Sequence, residues 1–532
     1  MAGRKIQIRA EAHPAVSALT VLPDLVQYPY GCAEQTLNRF LPLLVASESA
    51  SQLGLDWDKM IHLSKNLGHS LGWISGRGQA ELSREPVDLS EAKVNDMVHV
   101  GMSRLKEKQN SDGSWGWFSG DDPNARVYLT ALAVRGLMMA EKAGKKLKKD
   151  HPTERAVSWL ERLSGPDYSK KSSKVLLAKA AFAAWALKEA GSDEVEKLVK
   201  KLWEIRDVLP LTSRIHLALA MADKEQVAAL TEEIRKELGV LKVNRNRYYS
   251  WWNEPVERRA CFLKLLVKVG ADEDELREEI RTLLAARKDG GHWKSTRESG
   301  FCLEVIVEAM LSFDLDPFAS GVDTEIEIRA KGKAHTVILS EEELWSGKLE
   351  LPIDAIVAGE EKEIVLEITR RGDLESPVFL NAAITHPSSD PKAMKSEESG
   401  LELKRHYLRV NPNGNRTLLK EGDVVKVGEV IEVILQIDSD EPREFLHLRD
   451  PIPAGLEPMI QLSGYHQSAY RESRTGESHF FISELSNWNR NHRYTLSVVT
   501  EGVCLALPAH VECMYSPEIR GRSKARKLTI GN

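Results

Sequence analysis

The chain has 532 residues, of which 42% are hydrophobic and 29% are charged, and its formal net charge is −6. These values describe a globular protein of several domains, since one domain usually takes about 100–200 residues. So small a net charge gives no reason to expect binding to nucleic acid or to anionic lipid, and no apolar run approaches the roughly 20 residues that span a bilayer.

The N-terminal residues alternate apolar and charged or polar side chains almost from the first position. Ile6, Ile8 and Ala10 carry this alternation, which predicts a strand with one buried face there. No apolar leader precedes them. Because the chain opens inside a predicted strand, we expect it to be part of a longer protein.

The most informative segment follows, where residues 28–35 read Tyr-Pro-Tyr-Gly-Cys-Ala-Glu-Gln. The proline and glycine interrupt regular structure, and a helical pattern begins just after them. Cys32 and Gln35, three residues apart, can therefore share one face of a helical turn. There the thiol can attack the side-chain amide, expel ammonia and close an internal thioester. A helix N-terminus would also stabilise the thiolate of Cys32.

Residues 37–313 carry a helical pattern, with apolar side chains three and four apart and short polar links between the runs. Three of these links place tryptophan just ahead of an apolar helix, at Trp115, at Trp251 and at Trp293. Helices of similar length with a repeated turn predict stacked hairpins in a closed α/α toroid. The repeat carries no information about chemistry.

After residue 317 the period of the pattern changes to two. Ile326 and Ile328 alternate with charged residues, as in antiparallel strands with one solvent-exposed face. Residues 387–400 are rich in proline, serine and charge, which predicts a linker. From residue 401 onward, alternation such as Val433 and Leu435 between regular turn signals predicts a β-sandwich.

Five cysteines are too few, and odd in number, for a disulfide framework. Cys261 and Cys302 lie in apolar helical runs and are expected to be small buried hydrophobes. Cys504 and Cys513 flank a proline, so either a disulfide across a hairpin or two free thiols fits them. No Cys or His pair has the spacing of metal ligands, and no metal site is expected.

The string at residues 28–36 resembles the thioester site of the alpha-2-macroglobulin and complement family. The continuation Arg-Phe-Leu-Pro at 39–42 and the terminal string Met-Tyr-Ser-Pro-Glu-Ile-Arg-Gly at 514–521 are similar to bacterial members. The resemblance covers nearly the whole chain and implies a multidomain α + β fold. It implies a CUB-like β domain from residues 1–22 and 317–392, an inserted α/α-toroid thioester domain over 23–316, and a C-terminal macroglobulin-like, receptor-binding-like β-sandwich over 393–532.

The resemblance also implies a function, that of a broad-spectrum endopeptidase inhibitor. Such a protein captures attacking proteases by acyl transfer from the Cys32–Gln35 thioester to target amines, as a single-turnover trap and not an enzyme. The reactive group would be the internal Cys32–Gln35 cross-link itself, and no separate cofactor is implied. Implied partners are proteases, other amine-bearing proteins and N-terminal macroglobulin domains, without nucleic acid or a membrane span, in a periplasmic or extracellular parent protein.

A thioester survives only where water is excluded. Tyr28 and Tyr30 are candidates for apolar cover, and the resemblance implies that Met514 and Tyr515 complete it by docking against the toroid. Alternatively, Tyr28 and Tyr30 are ordinary core residues, and Met514 and Tyr515 pack only within their own β-sandwich as part of a strand. Gly31 and Glu34 support the motif, Glu34 by accepting N–H bonds or orienting the turn and not as a base.

The choice of nucleophile depends on a further loop. In hydroxyl-preferring complement proteins, a histidine on a loop downstream attacks the thioester first. The corresponding stretch here, residues 118–125, reads Phe-Ser-Gly-Asp-Asp-Pro-Asn-Ala and contains no histidine, while His99 and His151 lie in other elements. The resemblance therefore implies direct reaction with amines and poor reaction with hydroxyls.

Three other functions remain open on the sequence. An α/α-toroid enzyme of terpene cyclase or prenyltransferase type fits the tryptophan repeat but lacks the acid-rich catalytic motif, since a solvated turn explains Asp121 and Asp122. A cysteine hydrolase would need His13, His62 or His69 as base, and nothing fixes their geometry. A scaffold whose thioester never forms has the same residues, and only the mass of the intact chain distinguishes it.

Overall fold

The computed structural model of this protein describes residues 5–19, 21–27, 32–50, 52–53, 56–59, 88–117, 126–145, 152–238, 255–287, 293–312, 324–330, 333–340, 346–352, 366–372, 378–385, 396–461, 463–466, 469–474, 476–486 and 490–531. The chain divides into two compact units. The first comprises Met1–Val243 and Trp252–Pro387, and the second comprises Ser388–Asn532 with Asn244–Trp251. None of the helices in the described part of the chain has the length and hydrophobicity of a transmembrane segment.

The N-terminal strand region is shorter than the resemblance implied. β1 covers Lys5–Glu11, and α1 (Pro14–Leu19) and α2 (Leu22–Gln27) follow it. Proline suits the first position of a helix, and His13 caps the turn, because its Nδ1 accepts the backbone N–H of Ala15 at 3.2 Å and of Val16 at 3.4 Å. The prediction of strands beyond residue 11 is therefore wrong.

A small β domain is built from both ends of the first unit. Its later strands are β2 (Thr324–Ala330), β3 (Lys333–Leu339), β4 (Ser346–Pro352), β5 (Glu367–Arg371) and β6 (Phe379–Thr385). They form two three-stranded sheets, in the orders β4-β1-β6 and β3-β2-β5, around a core that includes Ile6, Ile8, Ile326 and Ile328. Because β1 pairs with β4 and β6, the helices are an insertion between strands of one β domain, as the resemblance implied.

The inserted helices form a toroid. The remaining helices in the described residues are α3 (Ala33–Ala50), α4 (Glu91–Glu107), α5 (Arg126–Lys142), α6 (Pro152–Glu161), α7 (Lys174–Glu189), α8 (Val195–Trp203), α9 (Leu211–Ala220), α10 (Lys224–Leu238), α11 (Pro255–Val269), α12 (Glu273–Ala285) and α13 (Thr296–Leu311). Helices α3, α5, α7, α9, α11 and α13 pack each against the next, and α13 packs against α3. This ring is closed, and α4, α6, α8, α10 and α12 pack outside it.

The tryptophan repeat has a structural basis. Trp115 Nε1 donates to the carbonyl of Leu105 at 2.7 Å, and Trp293 Nε1 donates to the carbonyl of Leu283 at 2.8 Å. Each acceptor lies in the last turn of an outer helix, α4 or α12, and both tryptophans are fully buried. Each ring thus fixes the turn that leads from an outer helix to the next inner one. The third copy, at Trp251, lies outside the described residues.

The second unit is a β-sandwich, as predicted. Its strands are β7 (Glu397–Ser399), β8 (Glu402–Val410), β9 (Arg416–Leu418), β10 (Val424–Lys426), β11 (Val430–Asp438), β12 (Arg443–Pro451), β13 (Leu456–Pro458), β14 (Gly464–His466), β15 (Ala469–Arg474), β16 (Glu477–Leu485), β17 (Asn491–Val498), β18 (Gly502–Ala506), β19 (His510–Cys513), β20 (Ser516–Arg522) and β21 (Arg526–Gly531). The sheet orders are β13-β17-β11-β8-β9, β14-β15-β16-β12-β19-β20-β7 and β10-β21-β18. Strand β7 lies inside the predicted linker, which is therefore shorter than expected.

The fold separates the two cysteines that were candidates for a disulfide. Cys504 lies on β18, whose partner is β21, whereas Cys513 lies on β19 between β12 and β20, in another sheet. No disulfide joins any of the five cysteines, all of which lie in the described residues, so the disulfide alternative is wrong. Cys261 and Cys302 are buried among the inner helices, which confirms their prediction as small core residues.

Candidate functional site

Cys32 sits immediately before α3, in the position of a helix N-cap. Its Sγ accepts the backbone N–H of Gln35 at 3.3 Å, in the manner of an N-cap side chain that binds the third residue of the helix. Its carbonyl accepts the Thr36 hydroxyl at 2.7 Å. The local fold therefore holds the sulfur over the turn that carries Gln35, as the spacing of three residues predicted.

The Gln35 side chain is buried and lacks hydrogen bonds. It is 1% exposed, and neither its Oε1 nor its Nε2 has a partner among the described residues. Each unpaired buried polar group costs about 1–3 kcal/mol. Closing a thioester would remove both N–H donors of the amide as ammonia, so the site suits the cross-linked form better than the free glutamine.

Burial also controls the thiol. Cys32 is fully buried, and this desolvation, reinforced by the negative charge of Glu34, raises the pKa of the thiol well above its usual range, although backbone N–H groups of Glu34 and Gln35 oppose the shift. The expected stabilisation of the thiolate by the helix N-terminus is present but is outweighed. A free Cys32 in this conformation is therefore protonated at neutral pH.

Glu34 connects two inner helices of the toroid beside the sulfur. Its carboxylate is fully buried, with Oε2 at 3.9 Å from Cys32 Sγ. Its Oε1 accepts the side-chain amide of Asn38, one turn further along α3, and the hydroxyl of Thr296, at 3.3 Å, on α13. Asn38 stands at helical spacing from Glu34 and could have been found in the sequence, whereas Thr296 lies too far along the chain to give any signal.

The turn after Trp115 supports the start of α3. The backbone N–H of Ala33 donates to the carbonyl of Trp117 at 2.8 Å, and Trp117 is itself buried. This contact joins the first residue of the helix to the residue just before the stretch 118–125. That stretch, where the absence of histidine predicts amine preference, lies outside the described residues.

Two glycines let neighbouring helices approach α3 closely. A Cβ at Gly101 on α4 would lie 2.5 Å from Phe40 Cδ1, and a Cβ at Gly136 on α5 would lie 2.7 Å from Leu37 Cδ2. Real Cβ atoms do not approach so closely, so a side chain at either glycine would require Phe40 or Leu37 to move. The glycines thus keep both helices against the helix that carries Gln35.

The four residues proposed as cover, together with Gly31 of the motif, fall into two groups. Tyr28, Tyr30 and Gly31 lie outside the described residues. Met514 and Tyr515 are buried in the second unit, where the Met514 N–H donates to the carbonyl of Phe445 at 2.8 Å and the Tyr515 ring meets the Phe445 ring edge-on at 5.4 Å. These contacts fit the alternative of a pair that serves its own sandwich, and their shielding role stays a prediction.

A small pocket inside the toroid is lined by residues of α3, α5, α7, α11 and α13. Within it Arg135 is paired at 2.8 Å with Glu189 and with Glu304 and lies 3.7 Å from the centre of the Trp185 ring. The protein's own charges thus satisfy one another there. In the described part of the chain, no group of three His, Cys, Asp or Glu side chains is arranged to hold a metal ion.

The bases suggested for a cysteine hydrolase gain no support. His13 is engaged at the N-terminus of α1, where it accepts two backbone N–H groups. His62 and His69 lie outside the described residues. The Cys32 sulfur instead contacts its own helical turn, at Glu34 and Gln35.

Comparisons with known proteins identify two domains. Residues 11–180 match the family described as the A-macroglobulin TED domain, and residues 400–518 match the bacterial alpha-2-macroglobulin MG10 domain. The first match contains Cys32 and Gln35, and the second contains Met514 and Tyr515. The sequence therefore predicted both domain types correctly.

Curated relatives share the name alpha-2-macroglobulin. The protein from Escherichia coli K12 is 24% identical over 98% of this chain, and the homolog from Nostoc sp. is 22% identical over 83%. This chain spans 30% of the first and 24% of the second, so it corresponds to less than a third of either protein.

Solved structures agree on the fold. Native Escherichia coli alpha-2-macroglobulin, from domain MG7 to the C-terminus, gives a TM-score of 0.70 at 20% identity, covering 100% of this chain and 78% of that one. Salmonella alpha-2-macroglobulin reacted with methylamine also gives 0.70 at 20% identity, covering 100% of this chain and 32% of that one. The multidomain α + β fold is thereby confirmed, and the toroid-enzyme alternative is not favoured.

Proposed function

We propose that this relative of the C-terminal region of bacterial alpha-2-macroglobulins forms a thioester between Cys32 and Gln35 and uses it to bind attacking proteases covalently. The protein acts as an endopeptidase inhibitor and not as an enzyme, because each thioester is consumed in one turnover. No separate cofactor takes part.

One observation carries the proposal. The Gln35 amide is buried without a hydrogen-bond partner among the described residues, in the same helical turn whose N-cap is the Cys32 sulfur. A structural glutamine would ordinarily be exposed or paired, since burying its amide alone is costly. The same two side chains lie in the match to the A-macroglobulin TED domain.

The reaction is an acyl transfer. The amino group of a target lysine attacks the acyl carbon of Gln35, the carbon–sulfur bond breaks, and a proton from the amine ends on the Cys32 sulfur. The products are an amide and a free thiol. The relative whose structure was obtained after reaction with methylamine makes a small amine the natural probe.

Cover against water completes the proposal. Tyr28 and Tyr30 lie in the chain just before the thioester, and Met514 and Tyr515 form an apolar pair in the second unit. We expect these four side chains to shield the bond from water in the resting protein, with Gly31 supporting the motif. The parent protein is periplasmic or extracellular, with macroglobulin domains ahead of this region.

A fluorescent primary amine tests the proposal on the whole chain. One label per molecule is expected, with the modified residue mapped to Gln35 and one new thiol mapped to Cys32. Cys32→Ala should abolish labelling, whereas Cys302→Ala, which removes another buried helical cysteine, should retain it. Equal labelling of the Cys32→Ala variant would contradict the proposal.

Trypsin in place of the amine tests the protease part. An SDS-resistant product containing both chains is expected, and pretreatment with methylamine should prevent it. A further outcome is that the amine label appears at Gln35 while trypsin does not become attached at any molar ratio of trypsin to this protein. That result would support the thioester and contradict protease capture by this chain.

A further inference from the structure

We propose that Glu34 is the acid–base catalyst that forms the thioester, with Asn38 and Thr296 as positioning residues. The inference rests on the proposed function, because it concerns how the Cys32–Gln35 bond arises. It gives Glu34 a role in proton transfer, whereas the sequence motif alone indicated only a structural role for this carboxylate.

The geometry places a base at the reacting sulfur. The Cys32 thiol lies 3.9 Å from Glu34 Oε2, which can accept its proton, and the carboxylate is fully buried. Its other oxygen accepts the Asn38 amide and the Thr296 hydroxyl. These bonds come from α3 and α13, so the orientation of the carboxylate is fixed by two elements of the ring.

The thiol needs such a base. Desolvation holds the Cys32 pKa well above its usual range, so the nucleophilic thiolate is scarce at neutral pH. The nitrogen of an amide also needs a proton before it can leave. A single carboxylate beside the sulfur meets both needs, because general acid–base catalysis can use one group in both directions.

The step balances without any added reactant. Glu34 takes the thiol proton as the sulfur attacks Cδ of Gln35, and a tetrahedral adduct forms. The protonated Glu34 then gives that proton to the amide nitrogen, the carbon–nitrogen bond breaks, and ammonia leaves. Glu34 is again a carboxylate, and the net change is one thiol plus one amide giving one thioester plus ammonia.

The Gln35 environment favours departure of ammonia. Its Nε2 has no hydrogen-bond acceptor among the described residues, so no such contact holds the amide in place. An unpaired amide N–H in a dry site is unfavourable. Loss of the nitrogen relieves this cost, whereas the Oε1 atom is retained in the thioester.

The test measures the rate of ammonia loss in newly made protein. The full chain is synthesised in a cell-free system, samples are quenched in acid, and the Cys32–Gln35 peptide is followed by mass. Glu34→Gln keeps the size but cannot take a proton, and it should slow formation by at least about 100-fold. Glu48→Gln, on the exposed side of the same helix, is the matched control and should leave the rate unchanged.

A pH profile separates catalysis from packing. In the wild type the rate should rise as the carboxylate ionises, and this inflection should vanish in Glu34→Gln. If that variant does not fold, Glu34→Asp decides, since a shorter carboxylate should give a folded protein with a slower rate. A rate for the folded variants equal to that of the wild type overturns the inference.

The failures can be told apart. A wild-type chain that never loses ammonia defeats the proposed function itself. A wild-type chain that loses ammonia, with Glu34→Gln losing it equally fast, leaves the thioester intact and removes only the catalytic role of Glu34.

Discussion

The backbone N–H of Gln35 donates to the sulfur of Cys32, with an N···S distance of 3.3 Å. The same helical turn therefore fixes the position of the sulfur and of the residue whose acyl carbon it would bind. A side-chain oxygen in this position typically contributes about 1 kcal/mol to a helix, and a sulfur is a weaker acceptor. Here the contact also selects, among the rotamers of Cys32, one that keeps the sulfur at the turn.

The tryptophan repeat predicts equal losses at two distant positions. Trp115→Phe and Trp293→Phe each remove the donor to a buried carbonyl, at Leu105 and at Leu283. Each variant should lose at least about 1 kcal/mol of the free energy of unfolding. Urea unfolding, monitored by the far-UV circular dichroism of the helices, measures this loss of stability. Trp203→Phe, a partly exposed control, should change by less than about 0.5 kcal/mol.

A buried ion pair ties the β domain to the toroid. Glu11 on β1 meets Arg287, just after α12, at 2.9 Å, and both side chains are almost wholly buried. Removing one partner leaves the other charge buried without compensation. Glu11→Ala should therefore lower the free energy of unfolding by about 3–5 kcal/mol. The double change Glu11→Leu with Arg287→Met should recover most of that loss. A single variant as stable as the wild type would show that the pair contributes nothing.

Histidine burial predicts sensitivity to acid. Burial, aided by the positive charge of Arg135, lowers the pKa of His216 to about 3. Between pH 6.5 and 3 the unfolded chain therefore binds a proton that the folded chain does not, so stability falls as the pH falls, by up to about 1.4 kcal/mol per pH unit.

Replacing the ring tests this directly. His216→Phe keeps the aromatic contacts with Phe182 and Trp185 but has no proton to bind. Its free energy of unfolding should depend less steeply on pH than that of the wild type over this interval. The exposed His99 serves as control, and His99→Gln should keep the wild-type slope. Parallel curves for wild type and His216→Phe would refute the assignment.

The sequence of residues 118–125 predicts which nucleophile is preferred. Since this stretch has no histidine, the thioester should react directly with amines. Glycerol at the same concentration should not slow labelling by a fluorescent amine, whereas methylamine should compete with it. Comparable competition by glycerol and methylamine would contradict the prediction.

Local signals in the sequence were sufficient for the site's core and for the helical repeat. Cys32 and Gln35 share a turn because the spacing of three residues matches the helical period. The repeated Gly and Trp turns revealed the toroid because Trp115 and Trp293 make the same hydrogen bond to an outer helix. The change to period two revealed both β regions, since alternation reflects a sheet with one buried face.

What the sequence did not provide were contacts between distant segments. Thr296 reaches Glu34 only because α13 closes the ring against α3. The strand pattern was also extended too far at the N-terminus, because an apolar run after His13 fits a helix or a strand equally well until the His13 cap is seen. The short strand β7 gave no signal, since its three residues are polar.

The central claim is that Cys32 and Gln35 are joined by a thioester, and the mass of the freshly purified intact chain tests it most directly. The account predicts a chain lighter than its sequence by one ammonia, a deficit that disappears in both Cys32→Ala and Gln35→Ala. A wild-type chain of full sequence mass, with a free thiol at Cys32 and an unmodified amide at Gln35, would contradict it.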